Sequence, residues 1–285
     1  MQPNILDSIS NQYSQMTRSA KKLADYIFNN KSVVQYMSIT SLAEASGVSE
    51  ATITRFCHGL GLAGYNEFKL AIARADQSAM QSDLFFQDGA EAGGSHLDRL
   101  CRRLYQTDAA ALTETLDLMN PESTNAAVAL FSKARRIYCF GQGGSNVMAM
   151  EAWARFSTVS SHFVHIEDSH MQAMAASLCT QEDVILFFSY SGSTRDMLDV
   201  LRPAKNGGAN IVLVTHFSNS PAAALSDVIL LCGSTESPLQ SGSIAAKISQ
   251  MFIIDYLFGA YCAQNPDQCA KASEATAQAT ARKLL

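Results

Sequence analysis

The chain has 285 residues, 47% of them hydrophobic and 16% charged, with a formal net charge of −5. That apolar fraction supports packed cores and excludes a disordered or collagen-like chain, and the length suits one large domain or two of about 100–200 residues. The opening MQPNILDSIS is no export leader, and the longest apolar-rich run, Met251–Tyr261, is broken by Asp255 and falls short of the ~20 residues of a membrane span. The expectation is a cytoplasmic protein with no membrane partner. Its seven cysteines lack CxxC spacing and read as reduced thiols.

Charge divides the chain. Residues 1–76 carry seven basic against six acidic side chains, a net +1, and the remainder carries fourteen against twenty, a net −6. Pattern divides it at the same place. Residues 1–77 are helical throughout and form one expected domain. Residues 78–96, with Gly89, Gly93 and Gly94, have linker composition, although the Leu84–Phe85–Phe86 patch is apolar enough to dock on a domain. In residues 97–285, runs at Arg136–Phe140, Val184–Ser189, Ile211–Thr215 and Val228–Cys232 alternate with helical stretches. That alternation predicts an α/β domain with a doubly wound parallel sheet.

Within the first domain, Ser38 can cap a helix bearing Ile39, Leu42, Ala43 and Ala45, which Gly47 ends in a left-handed conformation. Ser49 can cap a second helix by accepting from the Thr52 N–H. On that helix Ile53, Phe56, Cys57 and Leu60 share one face, and Ala51, Thr54, Arg55 and His58 the other, with no carboxylate expected among them. A short polar-to-basic face at a helix start is what a major-groove reader needs, although any amphipathic helix has a polar face. A third helix from Tyr65 adds Lys69 and Arg74 as phosphate contacts. The candidate DNA contacts are Ser49, Ala51, Thr52, Thr54, Arg55, His58, Tyr65 and Lys69. A net charge of +1 predicts weak binding per monomer and so a dimer.

Two loops in the second domain sit between strand and helix. Gly141-Gln142-Gly143-Gly144-Ser145-Asn146 misses the GxGxxG dinucleotide pattern, because position 146 is Asn. Ser189-Tyr190-Ser191-Gly192-Ser193-Thr194 gathers four aliphatic hydroxyls and a glycine. Hydroxyls and N–H groups at a helix start can hold an anion, although one such loop alone is an ordinary capped turn. In an open parallel sheet both loops lie where ligands bind, and a phosphorylated polyol fits them.

Residues 17–75, through GVSEATITRFCHGLGLAGYNEFK, resemble the N-terminal domain of the RpiR family of bacterial transcription regulators, and residues 125–262 resemble its sugar isomerase (SIS) domain. The resemblance implies a homodimer or tetramer on operator DNA, modulated by a sugar-phosphate effector, with no cofactor. It places ligand contacts at Gly143, Gly144 and Ser145, at Ser189, Tyr190, Ser191, Gly192 and Thr194, and at His170 and Glu236. Where family members often carry Ser-Arg, this chain has Ala246-Lys247, which puts a point charge in place of a fork at the Lys247 contact.

SIS domains also occur in aldose–ketose isomerases, where Glu236 and His170 could serve as base and acid. A helix-turn-helix would be idle on such an enzyme, so the expectation is a sensor with no catalytic residues. No metal site is expected, since His162 and His165 share a strand face only loosely. Cys57, Cys101 and Trp153 read as core. Leu97, Leu100, Cys101, Leu104, Ala111 and Leu112 follow helical spacing with a break at Asp108. Residues 244–262 are apolar nearly all round, which means burial or a partner subunit.

Overall fold

The computed structural model describes residues 4–86, 95–233 and 243–281. The chain divides into two compact units with the boundary between Leu104 and Tyr105. The first unit contains α1 (Ile5–Gln12), α2 (Arg18–Asn29), the single turn α3 (Lys31–Val34), α4 (Ile39–Ser46), α5 (Glu50–Gly59) and α6 (Tyr65–Phe86). Local chemistry sets the boundaries of α4 and α5. Ser38 accepts from the Ser41 N–H, Gly47 turns the chain at φ 62°, and Ser49 accepts from the Thr52 N–H at 3.3 Å. Ile9, Leu23, Ile27, Leu42, Ile53 and Phe68 are fully buried together. Each such side chain contributes about 1.5–3 kcal/mol. The Lys22 ammonium donates to the Gly47 carbonyl at 3.1 Å and ties α2 to the turn.

α6 continues to Phe86, well into the segment expected as a linker, and α7 spans His96–Leu118. The side chains of Leu84, Phe85 and Phe86 lie outside the described residues. α7 runs unbroken through Asp108, because one aspartate costs a helix interior only about 0.7 kcal/mol. Its first half is not the buried stripe expected. Leu97, Cys101 and Leu104 are exposed, and burial begins at Ala111 and Thr115. Cys101 is therefore a surface thiol, whereas Cys57 is buried.

The second unit contains α8 (Pro121–Lys133), β1 (Arg136–Gly141), α9 (Asn146–Phe156), β2 (Phe163–His165), α10 (Ser169–Ser177), β3 (Asp183–Phe188), α11 (Arg195–Asn206), β4 (Asn210–Thr215), β5 (Val228–Leu231), α12 (Ile244–Gln264) and α13 (Pro266–Ala281). The sheet is parallel in the order β2-β1-β3-β4-β5. Tyr138, Phe140, Ile185, Phe187, Ile211 and Leu213 point to one face and pack against Met197, Val200 and Leu201 of α11 and Ala176 of α10. The opposite face buries an aromatic cluster in which Phe156 of α9 stacks on Phe163 at 4.2 Å, with Phe131 and Tyr261 edge-on. β2 covers three residues of the stretch around His162 and His165 that the sequence reads as a strand.

Trp153 is 39% exposed on α9 and lies over the His165 ring, not in the core. α12 splits its apolar surface. Ile253, Ile254, Leu257 and Tyr261 are buried, while Ile244, Met251 and Tyr256 remain exposed. No helix among the described residues is long and apolar enough to cross a membrane.

Candidate functional site

On α5 the side chains of Ile53, Phe56 and Cys57 enter the core, which fixes the opposite face outward. Ala51, Arg55 and His58 are exposed there and Thr54 is half-buried. The Arg55 guanidinium makes no hydrogen bond or ion pair among the described residues, so its five donors face solvent. His58 Nδ1 lies 3.1 Å from the Leu62 carbonyl. A carbonyl only accepts, so Nδ1 carries the proton and Nε2 is the atom turned outward.

Other expected contacts are occupied within the unit. Ser49 Oγ and Thr52 Oγ1 are 2.9 Å apart, and the Thr54 hydroxyl donates to the Glu50 carbonyl at 3.0 Å. Ser49 and Thr52 thus form the start of the helix before they can touch a ligand. The Tyr65 hydroxyl donates to the Met37 carbonyl at 3.0 Å, its ring stacks on Phe68, and burial raises its pKa. Lys69 sits with its ammonium 5.6 Å from the Tyr65 ring centroid, and burial lowers its pKa. Within the unit the tyrosine is thus engaged through its hydroxyl, and the lysine lies over its ring neighbour at i, i+4. The expectation of a face without a carboxylate is corrected. Glu50 is exposed at its edge, four residues before Thr54, and Thr40 Oγ1 donates to Glu50 Oε1 at 2.6 Å.

In the second unit, β1 and β3 are neighbours with Gly141 paired to Phe188, so their loops leave the same end of the sheet side by side. The chain turns to β2 after β1 and to β4 after β3. That is the point where strand order reverses and a crevice opens. After Gly141 the backbone makes a tight 3₁₀ turn, Gly143–Ser145, with Gly143 at φ 54°. A Cβ on Gly141 would lie 2.6 Å from the Ser145 carbonyl oxygen, so only glycine allows this close approach.

The β3 loop is folded by its own hydroxyls. Ser189 Oγ accepts from the Gly192 N–H at 3.2 Å and Ser191 Oγ from the Ser193 N–H at 3.3 Å. Each of these two hydroxyls keeps its proton to donate. Gly192 has φ 58°, and a Cβ there would collide with Ser220 Oγ. Tyr190 is turned inward: its ring stacks on His216 at 5.1 Å and its carbonyl accepts from Thr215 Oγ1.

Helix starts differ in how their first N–H groups are met. α1, α2, α4, α5, α8, α10 and α12 all begin with a side chain bonded to a first-turn N–H. α9, after Ser145, and α11, after Thr194, have no such cap, and neither does the single turn α3. The first-turn N–H groups of α11 and the exposed Thr194 hydroxyl remain for a bound anion, whereas the Asn146 N–H that opens α9 donates to the Gly143 carbonyl.

Three residues missed in the sequence join this site. The Gln172 side chain of α10 is fully buried, and its Nε2 donates to the Gly141 carbonyl at 3.0 Å and the Ile166 carbonyl at 2.8 Å. This clamps the root of the β1 loop to the segment leading to α10. Gln172 Oε1, both amide atoms of Gln142 and Asn146 Oδ1 are shielded, with no hydrogen-bond partner among the described residues. Buried polar atoms without partners are costly and mark places where a ligand or water completes the bonding. Only topology brings Gln172 to Gly141; no local pattern shows it.

His170 is exposed in the first turn of α10, which Asp168 caps from Met171 N–H at 2.8 Å. Lys247 is half-buried in the first turn of α12, and its ammonium makes no bond among the described residues. Glu236 lies outside the described residues. Among those described, no group of three or more His, Cys, Asp or Glu side chains could hold a metal ion.

The family described as the helix-turn-helix domain of the rpiR family matches residues 3–79, and the SIS domain family matches residues 130–260. An uncharacterized HTH-type transcriptional regulator of Caldanaerobacter subterraneus is 30% identical over 255 residues, spanning 90% of this chain and 89% of its own. The HTH-type transcriptional regulator HexR of Pseudomonas aeruginosa is 29% identical over 254 residues, spanning 89% and 87%. In solved structures, the NanR protein of Vibrio vulnificus complexed with ManNAc-6P matches with a TM-score of 0.82 at 26% identity, covering 99% of each chain.

Proposed function

The chain belongs to the rpiR family of helix-turn-helix transcriptional regulators, and from that premise we propose that α5 reads operator DNA while a sugar phosphate over the β1 and β3 loops modulates the reading. The β1 and β3 loops, side by side where strand order reverses, with α11 starting without a side-chain cap, carry the effector half. The hydroxyls of Ser189, Ser191 and Thr194 and the first-turn N–H groups of α11 take the phosphate. The unpartnered amide atoms of Gln142, Asn146 and Gln172 take sugar hydroxyls, with His170 near the sugar and Gly143, Gly144 and Ser145 forming the facing wall. Glu236 and Lys247 stay in the proposal as further contacts, and no cofactor is invoked. Arg55, His58, Ala51 and Thr54 meet base edges in the operator.

Self-association completes the reading. Val147, Met150 and Trp153 of α9 and Met251 and Tyr256 of α12 are exposed apolar side chains, and α9 packs against α12. Burying them in a homodimer, or a tetramer built from it, would supply two reading helices. The aldose–ketose isomerase alternative lacks this support, since relatives spanning nine-tenths of the chain are named regulators.

The effector site is tested by thermal unfolding with a panel of sugar phosphates that includes ManNAc-6P. One member at 100 times its Kd stabilises the wild type by about 2.7 kcal/mol and leaves the Ser189→Ala/Ser191→Ala chain unmoved. An equal shift in that variant would sink the site.

A further inference from the structure

Resting on the proposed reading of DNA by α5, we propose that Glu50, held in place by Thr40, selects a cytosine in the operator's major groove. Glu50 is the first residue of α5 and is exposed beside Thr54, on the edge of the face that carries Ala51, Arg55 and His58. Thr40, in the first turn of α4, donates its hydroxyl to Glu50 Oε1 at 2.6 Å. That bond crosses between the two helices and removes the rotamer freedom of a long exposed side chain. Oε2 has no partner among the described residues, and neither Lys nor Arg pairs with Glu50 there.

An unneutralised carboxylate is a liability on a surface that meets DNA, because duplex phosphates place one negative charge every ~1.7 Å. It is tolerated where it points past the phosphates at a donor. In the major groove cytosine offers its N4 amino group, which is the partner of Glu and Asp. Guanine and thymine offer acceptors, and adenine sets an N7 acceptor beside its amino group. An acid in the first helical turn also favours the helix dipole, but that effect needs no hydroxyl from α4. Thr40 is a positioning residue: it fixes where the free oxygen points.

The test is selection of bound duplexes from a pool with a randomised centre, using the full chain as wild type and as Glu50→Gln, Glu50→Ala, Thr40→Val and Thr40→Ser. The wild type enriches a motif with cytosine at one position of each half-site, preferred about tenfold. Glu50→Gln moves that one position to adenine, because Gln bonds adenine N6 and N7 together, and leaves every other position as it was. Glu50→Ala relaxes the position. Thr40→Val keeps cytosine with weaker preference, and Thr40→Ser restores it. If Glu50→Gln selects the wild-type motif unchanged, the proposal is wrong while the DNA reading stands. If Glu50→Ala binds nothing and Glu50→Gln keeps the wild-type motif, Glu50 is structural and the proposal is equally overturned. A wild type that enriches no motif removes the DNA reading and this proposal with it.

Discussion

The reading face of α5 comes from nine consecutive residues, Glu50 to His58, on one helix whose far side is fixed in a core. The proposed effector crevice comes from two loops and α10, segments far apart in sequence that meet only because β1 and β3 pair. The hydroxyls differ as well. On α5 those of Ser49, Thr52 and Thr54 are taken up in building the helix, and the outward groups are Arg55 and His58. In the β3 loop Ser189 and Ser191 accept from the backbone and keep their protons to donate. A convex reader needs long side chains on a stiff support, whereas an anion crevice needs short hydroxyls and bare backbone. Each unit therefore has its own way of failing, and substitutions should separate them.

The largest effect is expected on α5. Arg55→Ala combined with His58→Ala should weaken operator binding by about 2–6 kcal/mol, at ~1–3 kcal/mol per base contact, with the sugar-phosphate thermal shift intact. Loss of that shift in a folded double variant would break the separation between the units. Next is Gly192→Ala, which puts a Cβ onto Ser220 at a positive φ. It should cost about 2–3 kcal/mol of stability and abolish the sugar-phosphate shift in calorimetry.

The smallest effect concerns the root of β3. Burial pushes the Asp183 carboxyl up, but the Arg135 fork and the N–H and hydroxyl of Thr180 together hold it below the usual carboxylate range. A carboxyl depressed in the folded state adds stability that is complete above the unfolded pKa near 3.9 and is lost as pH falls through the lower folded value. Arg135→Met should lower stability modestly near neutral pH, since Asp183 keeps its Thr180 bonds while losing its cation. Acid titration of the two chains should show that difference shrinking below pH ~4.

Legibility in the sequence follows the same divide. Ser38, Gly47 and Ser49 announce α4 and α5 because a cap and a left-handed glycine act within four residues. The two strand-to-helix loops after β1 and β3 are legible for the same reason, since their glycines and hydroxyls act locally. The contact of the Lys69 ammonium with the Tyr65 ring is a local i, i+4 feature, whereas the bond from the Tyr65 hydroxyl to Met37 joins segments far apart in sequence. Glu50 escapes the sequence reading because the outward face is counted from Ala51, although the Ser49 cap makes Glu50 the first helical residue and sets it at i, i+4 to Thr54. Gln172 was not legible at all: its two carbonyl acceptors belong to β1 and the segment after β2, and that meeting exists only in the folded sheet. The exposure of Trp153 depends likewise on what packs where.

The central claim is that the crevice of one unit governs the reader of the other, and it is a statement about coupling. The direct measurement is the affinity of the full chain for its selected operator duplex, with and without a saturating sugar phosphate from the panel. The reverse titration of that sugar phosphate, with and without the duplex, completes it. The account predicts a change of about 5–150-fold, the same factor in both directions because linkage is reciprocal, and none in Ser189→Ala/Ser191→Ala. A factor of one in the wild type, with both ligands bound, would contradict it.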